Sequence, residues 1–140
     1  MLSLERILLV HPMLLIVEDH AAVRKSLHDW LSVMLPDCQF VEAQSGEEAV
    51  ALTDAQPPDI VLMDIGLPGI NGIEATRRIK ALAPKTSVVM LSIHEEQAFQ
   101  ADAAAAGASA FVRKRTMHAE LVPVIKTLLS REEIGGQVAG

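Results

Sequence analysis

Four short apolar runs in this chain end in side chains suited to polar chemistry. Met13–Val17 leads into Glu18-Asp19, Ile60–Met63 into Asp64, Ser87–Leu91 into Ser92, and Ala110–Val112 into Arg113-Lys114. Taken singly, each has an ordinary explanation, because an acid after a strand is usually a helix cap or a solvated loop residue. If the runs are strands of one sheet, three carboxylates, a hydroxyl and an ammonium converge on one edge. Two like charges ~4 Å apart repel by roughly 4 kcal/mol at an effective dielectric of ~20. Three carboxylates in one place therefore require protonation or a cation. Hard oxygen donors without His or Cys favour Mg²⁺, which takes one or two carboxylates directly and keeps several waters. Such an ion would also bridge an incoming phosphoryl oxygen and neutralise charge during in-line transfer. One carboxylate is then left to attack phosphorus and form an acyl phosphate.

The elements that must position these groups alternate regularly along the chain. Met13–Val17, a continuous apolar run closed by acids, reads as a buried strand. Ala21–Leu35 carries Val23, Leu27, Trp30, Leu31 and Met34 at helical spacing and is stopped by Pro36-Asp37. Gln39–Ala43 is a second strand. Ser45, three residues before Glu48, has the capping-box pattern and opens a helix that ends before Pro57-Pro58. Ile60–Met63 is a third strand, followed by the turn-rich Gly66–Gly72 loop and a helix over Ile73–Leu82. Ser87–Leu91 is a fourth strand, and Glu95–Ala106 an alanine-rich helix with Gly107 as its C-cap. Ala110–Val112 is the fifth strand. Thr116 is placed to cap a last helix reaching about Arg131, with Pro123 inside it predicting a kink or a later start.

Five strand–helix pairs with short apolar strands predict an α/β fold, a doubly wound parallel sheet covered by helices on both faces. The expected arrangement is a flavodoxin-like (βα)5 unit with strand order 2-1-3-4-5, in which ligands sit outside the carboxyl ends of the strands. We divide the chain into an N-terminal extension (1–12), one domain (13–131) and a flexible tail or truncated linker (132–140). The extension contains Ile7–Val10, which looks like a first strand but lacks the acids. A disordered segment, an extra edge strand and an interface segment are all compatible with it.

Composition narrows the function classes. The chain has 140 residues, half of them apolar and only 3% aromatic, enough for one core built from aliphatic side chains. A formal charge of −6 argues against a nucleic-acid partner, which needs clustered Lys and Arg. The basic cluster Arg113-Lys114-Arg115 reads equally as a solvated strand end or a partner patch. Cys38 is the single cysteine, which excludes an internal disulfide and fits a reducing compartment. Arg6, His11 and Pro12 interrupt the N-terminal apolar stretch, and no run approaches the ~20 residues that span a bilayer. The expectation is a cytoplasmic protein with no membrane contact.

Within this frame, Leu15-Ile-Val-Glu-Asp19, Ile60-Val-Leu-Met-Asp64-Ile-Gly-Leu-Pro-Gly69, Asn71-Gly72, Val88-Val-Met-Leu-Ser92 and Gly107-Ala-Ser-Ala-Phe-Val-Arg-Lys114 closely resemble the response-regulator receiver domain of two-component signalling. The likeness covers about residues 13 to 130 and holds all five signature positions in order. Asp64 through Lys80, and Lys114 with Glu120-Leu121, resemble most the subfamily often joined to helix-turn-helix output domains. The resemblance implies a phosphorylation-dependent switch rather than an enzyme, with self-catalysed acyl-phosphate chemistry at most. Asp64 would be the phosphoacceptor. Glu18, Asp19, Asp64 and the backbone carbonyl of Gly66 would hold Mg²⁺. Lys114 would pair with Asp64 and then with a phosphoryl oxygen. Ser92 would donate its hydroxyl to another, and Phe111 would be the aromatic switch residue. The implied partner is a sensor histidine kinase or histidine phosphotransfer protein. The face of the fourth helix, fifth strand and fifth helix would be the readout surface, and a homodimer through it is one implied assembly. Nothing after residue 131 reads as a recognition helix, so no nucleic acid is expected on this chain alone.

Two departures stand out. Glu18 takes the place of the more usual first Asp, and Gly66 and His94 occupy the positions where the family tunes access of water to the acyl phosphate. His94 either positions water or faces solvent. Rival readings fit less well. An FMN-binding flavodoxin needs a phosphate loop where Glu18-Asp19-His20 stands, and a haloacid-dehalogenase-type phosphatase needs an Asp where Gly66 stands. A receiver-like module that binds a partner without phosphorylation is the alternative, against which the intact five-residue set argues.

Overall fold

A computed structural model describes residues 11–93 and 97–139. The N-terminal extension up to Val10, His94 and the expected helix start at Glu95 lie outside the described residues. Five parallel strands form one sheet in the order β2-β1-β3-β4-β5, as expected. They are β1 (Met13–Val17), β2 (Gln39–Ala43), β3 (Ile60–Asp64), β4 (Ser87–Ser92) and β5 (Ala110–Arg113). Between and after them run α1 (Ala21–Met34), α2 (Gly46–Ala55), α3 (Gly72–Leu82), α4 (Gln97–Ala106) and α5 (Met117–Ala139). A single 3₁₀ turn, Lys114–Thr116, joins β5 to α5.

Strand alternation sorts the core into two layers. Leu14, Ile16, Ile60, Leu62, Val89, Leu91 and Val112 face α1 and α5, packing on Leu27, Leu31, Leu121, Ile125 and Leu128. Leu15, Val17, Val61, Met63, Val88 and Met90 face the other three helices. There the contact residues Ala49, Ala75 and Ala103 are small and fully buried, so α2, α3 and α4 come close to the sheet. The central strands β1, β3 and β4 are buried almost throughout, while β2 and β5 are the partly open edges.

Most element ends follow from local chemistry. The Ser45 hydroxyl accepts the Glu48 N–H (3.1 Å) at the start of α2, and Asn71 Oδ1 accepts the Glu74 N–H (2.9 Å) at the start of α3. Gly107 ends α4 at φ +108°, a left-handed conformation that suits glycine. The last helix departs from expectation. It begins at Met117 and runs through Pro123 without the later start, and it continues past Arg131 to Ala139 where a tail was expected. Pro123 is exposed, and so is Ala119, whose carbonyl loses its helical donor, so water can satisfy that oxygen. The continuation past Arg131 meets no further proline before the chain ends.

Replacing Pro123 by Ala restores the missing N–H donor. The helix-interior penalty of proline, ~3 kcal/mol, is partly offset by the entropy proline removes from the unfolded chain, so Pro123→Ala is expected to stabilise by about 1–2 kcal/mol in urea unfolding.

Candidate functional site

The strand ends bring the singled-out side chains together through the same two-residue period that sorts the core. Glu18 continues the Leu14, Ile16 row, Asp64 the Ile60, Leu62 row, and Lys114 the Ala110, Val112 row, so all three belong to the α1/α5 face. The Lys114 ammonium lies 3.1 Å from Glu18 Oε1 and 3.1 Å from Asp64 Oδ2. Glu18 is 1% exposed and Asp64 7% exposed, so both charges sit largely out of water. Burial works to lower the Lys114 pKa, but the charge of Asp64 and the hydrogen bond to Glu18 outweigh it and hold the ammonium above its ordinary value.

The acidic loop is tied down on several sides. Glu18 Oε2 accepts the His20 N–H (3.1 Å), so each oxygen of the Glu18 carboxylate has a donor. Asp19 differs: its Oδ1 is buried and accepts no hydrogen bond, although His20 Nδ1 lies 3.4 Å from it in an ion-pair geometry. Ligand atoms of Glu18, Asp19 and His20 gather within 4.8 Å of one another. Asp64 stands outside that trio and is joined to it through Lys114. Three carboxylates against one ammonium leave a formal charge of −2 here, and a buried carboxylate oxygen without a donor is the feature a hard divalent cation satisfies.

Behind Asp64 the backbone is crowded. The Gly66 N–H donates to Asp64 Oδ1 (3.0 Å), and the Gly72 N–H to the Ile65 carbonyl (3.1 Å). A methyl group on Gly72 would collide with the Asp64 carbonyl oxygen and stand 2.8 Å from Ile65 Cα. The absence of a side chain there lets α3 begin directly against the residue that ends β3. Gly69, at φ +74°, turns the loop, and Glu47 of α2 accepts the Ile70 N–H (3.3 Å).

These observations can be set beside known proteins. The family described as the response regulator receiver domain matches residues 14–126. The chain belongs to the response-regulator receiver family. Transcriptional activator protein ExaE of Pseudomonas putida is 35% identical over 117 residues, covering 84% of this chain and 55% of that protein. Response regulator UvrY of Escherichia coli (strain K12) is 34% identical over 116 residues, 83% of this chain and 53% of that protein. The receiver thus spans about half the length of the curated relatives it matches. Among solved structures, a two-component response regulator of the LuxR family from Aurantimonas sp. SI85-9A1 superposes with a TM-score of 0.81 at 36% identity, covering 86% of each chain. The response regulator domain of Thermotoga maritima CheB gives 0.77 at 32% identity, covering 86% of this chain and 98% of that one. Receiver domains are signalling switches rather than typical enzymes. They take Mg²⁺ at an acidic pocket, and regulators of this type receive their signal from histidine kinases.

Set against the sequence reading, Lys114 meets both Glu18 and Asp64 directly, with Asp19 beside Glu18. Gly66 adjoins Asp64 through its N–H. Ser92, 1% exposed, continues the Val88, Met90 row on the opposite face of the receiver, and Phe111 packs into that same layer. The residues the sequence reading passed over are His20, Arg24, His28 and Glu42. Arg24 Nη1 donates to the Glu18 carbonyl (2.7 Å), Arg24 Nε to Glu42 Oε1 (2.9 Å), and His28 Nδ1 lies 2.5 Å from Glu42 Oε2. The adjacency of His20 to the acids was a usable signal. The other three showed none, because Arg24 and His28 of α1 meet Glu42 of β2 only through tertiary packing. Among the described residues no helix is long and apolar enough to cross a membrane.

Two expectations follow. Gly72→Ala is expected to destabilise the receiver by about 2–3 kcal/mol through overpacking. Gly66→Ala, whose methyl would lie 3.8 Å from Asp64 Oδ1, is expected to change urea-unfolding stability by less than about 1 kcal/mol. The hydrogen bond from His28 holds the Glu42 carboxyl below its ordinary value of 4.5, with Arg24 adding to it against the effect of burial. A depressed folded-state pKa stabilises the fold above the unfolded value, and that contribution is lost as pH falls through the folded one. The stability gap between wild type and Glu42→Gln is therefore expected to close as pH is lowered below 4.5.

Proposed function

We propose that this receiver accepts a phosphoryl group on Asp64, with Mg²⁺ held by Glu18, Asp19, Asp64 and the Gly66 carbonyl, and so switches its α4–β5–α5 face. The observation that carries the reading is the charge arrangement: Lys114 bridges Glu18 and Asp64 at 3.1 Å each, while the buried Asp19 Oδ1 has no hydrogen-bond donor. When bound, the ion supplies charge neutralisation and orientation for the phosphoryl oxygens. The residues of the chain do the rest. A carboxylate oxygen of Asp64 attacks phosphorus, the phosphorus–nitrogen bond of a phosphohistidine breaks, and the imidazole leaves. Lys114 then moves from a carboxylate oxygen to a phosphoryl oxygen, keeping its charge opposite the new anion. Ser92 supplies a hydroxyl from the neighbouring strand end, and Phe111, in the same core layer, follows it inward. Gly66 and His94 would govern how readily water reaches the acyl phosphate.

A histidine kinase or histidine phosphotransfer protein is the proposed donor. Ala22 and Met117, three residues beyond Asp19 and Lys114, open an apolar groove with Val23, Leu27 and Trp30 that would face such a donor beside the site. Likeness to regulators with DNA-binding output supports the same role for this receiver as the input half of a longer regulator, acting in the cytoplasm. A homodimer through the α4–β5–α5 face would be its assembled form.

The test is intact mass after incubation with acetyl phosphate and Mg²⁺. Wild type is expected to gain about 80 Da, and Asp64→Asn, or wild type without Mg²⁺, to gain nothing. Modification of Asp64→Asn to the same extent, or gain without Mg²⁺, would overturn the assignment.

A further inference from the structure

The peptide units around Glu18 are pinned from β2 and α1. The Glu18 N–H donates to the Ala43 carbonyl at the end of β2 (3.1 Å), and the Glu18 carbonyl accepts from Arg24 Nη1 (2.7 Å). Arg24 is itself anchored, its Nε donating to Glu42 Oε1 (2.9 Å) from the residue preceding Ala43. Glu42 is in turn gripped by His28, one helical turn beyond Arg24, whose ring lies 5.4 Å from that of Phe40. An acidic loop held this way has two fixed ends in the same edge strand.

The start of α1 explains why such a device is needed. His20, its N-cap residue, makes no side-chain cap hydrogen bond, and the first turn has no acidic residue. The usual means of fixing a helix entry are therefore missing where the loop carries Glu18 and Asp19. Arg24 fills that role from inside the helix. Its side chain is only 17% exposed, so the bond to Glu42 is not an ordinary surface ion pair of negligible weight. The guanidinium presents two donors in a rigid fork, one to a carboxylate and one to a carbonyl, and an ammonium has no equivalent geometry.

We propose that Arg24, held by Glu42 and His28, is a positioning residue for the metal site: by fixing the plane of the Glu18–Asp19 peptide it aims the Asp19 carboxylate at the cation. The inference rests on the Mg²⁺-dependent reading above and adds to it the residues that set the site's affinity. Groups that orient metal ligands without touching the metal commonly change affinity by 10–100-fold when replaced.

The experiment is a calorimetric Mg²⁺ titration of the whole chain as wild type, Arg24→Lys and Glu42→Gln. Amide hydrogen exchange is measured on the metal-free proteins in parallel. Arg24→Lys is expected to raise the Mg²⁺ Kd about tenfold or more, and Glu42→Gln severalfold. Exchange at the Glu18 and His20 amides should speed up in both variants while Leu62, deep in β3, stays as protected as in wild type. Unchanged Mg²⁺ affinity in folded variants would overturn the proposal, as would loss of protection spread evenly over the sheet. If Arg24→Lys does not fold, Glu42→Gln, changed at a more exposed position, decides the matter by the same two readouts. Wild type that takes up no Mg²⁺ overturns the underlying reading as well, whereas wild-type uptake with unaltered variants overturns this inference alone.

Discussion

Everything at this sheet edge is arranged around one electrostatic difficulty: three carboxylates share a largely water-excluded corner with one ammonium. The chain sequence puts the acids on adjacent strands, Glu18 and Asp19 after β1 and Asp64 at the end of β3, which pair directly. The ammonium comes from farther away. With strands about 4.8 Å apart, β5 lies roughly 10 Å from β3 and roughly 14 Å from β1 across the intervening strands. A lysine stem is long enough to cross below the end of β4 and reach Asp64. Contact with β1 as well depends on the partner's length, and Glu18, one methylene longer than Asp, reaches Lys114 at 3.1 Å. The first acid being Glu thus has a structural consequence, a shared clamp in which Lys114 is divided between two carboxylates.

That clamp belongs to one face of the sheet, while the groups that would read it out belong to the other. Glu18, Asp64 and Lys114 extend the rows packed under α1 and α5. Ser92 and Phe111 extend the rows packed under α2, α3 and α4. The two faces meet at the strand ends, where Ser92 pairs in register with Arg113, the residue before Lys114. The core itself, close-packed and aliphatic on both sides, offers no comparable freedom. A change of charge at Asp64 therefore has its shortest route to the α4–β5–α5 face along the β4 and β5 ends.

The legible part of this design is the part written with period two. Buried parallel strands are continuous apolar runs, so Met13–Val17, Ile60–Met63 and Ser87–Leu91 stand out, and the polar residue after each is automatically a strand-end residue. Caps were legible for a similar reason, since Ser45 with Glu48, and Gly107, act within a few residues of themselves. What escaped is non-local. Arg24, His28 and Glu42 are partly buried residues of α1 and β2, and each alone reads as a solvated surface group in the sequence. Only the register of β2 on β1, which sets Ile16 opposite Glu42 and Val17 opposite Ala43, brings Glu42 within reach of the helix that follows β1. The end of α5 escaped for the opposite reason. A tail was expected after Arg131, yet the helix runs on through Gly135 and Gly136, which no local signal announced.

A site with surplus negative charge has to be rigid to be useful, because mobile carboxylates would relax apart and lose their claim on a cation. The backbone at Glu18 and at Asp64 is fixed accordingly. Glu18 is bonded at both its N–H and its carbonyl. Asp64 ends a fully buried strand and is backed by the start of α3 at Gly72, with no room for a methyl group between them. Each of these restraints raises the energy of the cation-free arrangement, since the charges cannot separate to reduce their repulsion. The same restraints lower the reorganisation needed when a divalent cation enters. Stability surrendered where the acids crowd together would in this sense be converted into affinity for a cation. The buried Asp19 oxygen that lacks a donor is the atom at which that conversion is most exposed to view.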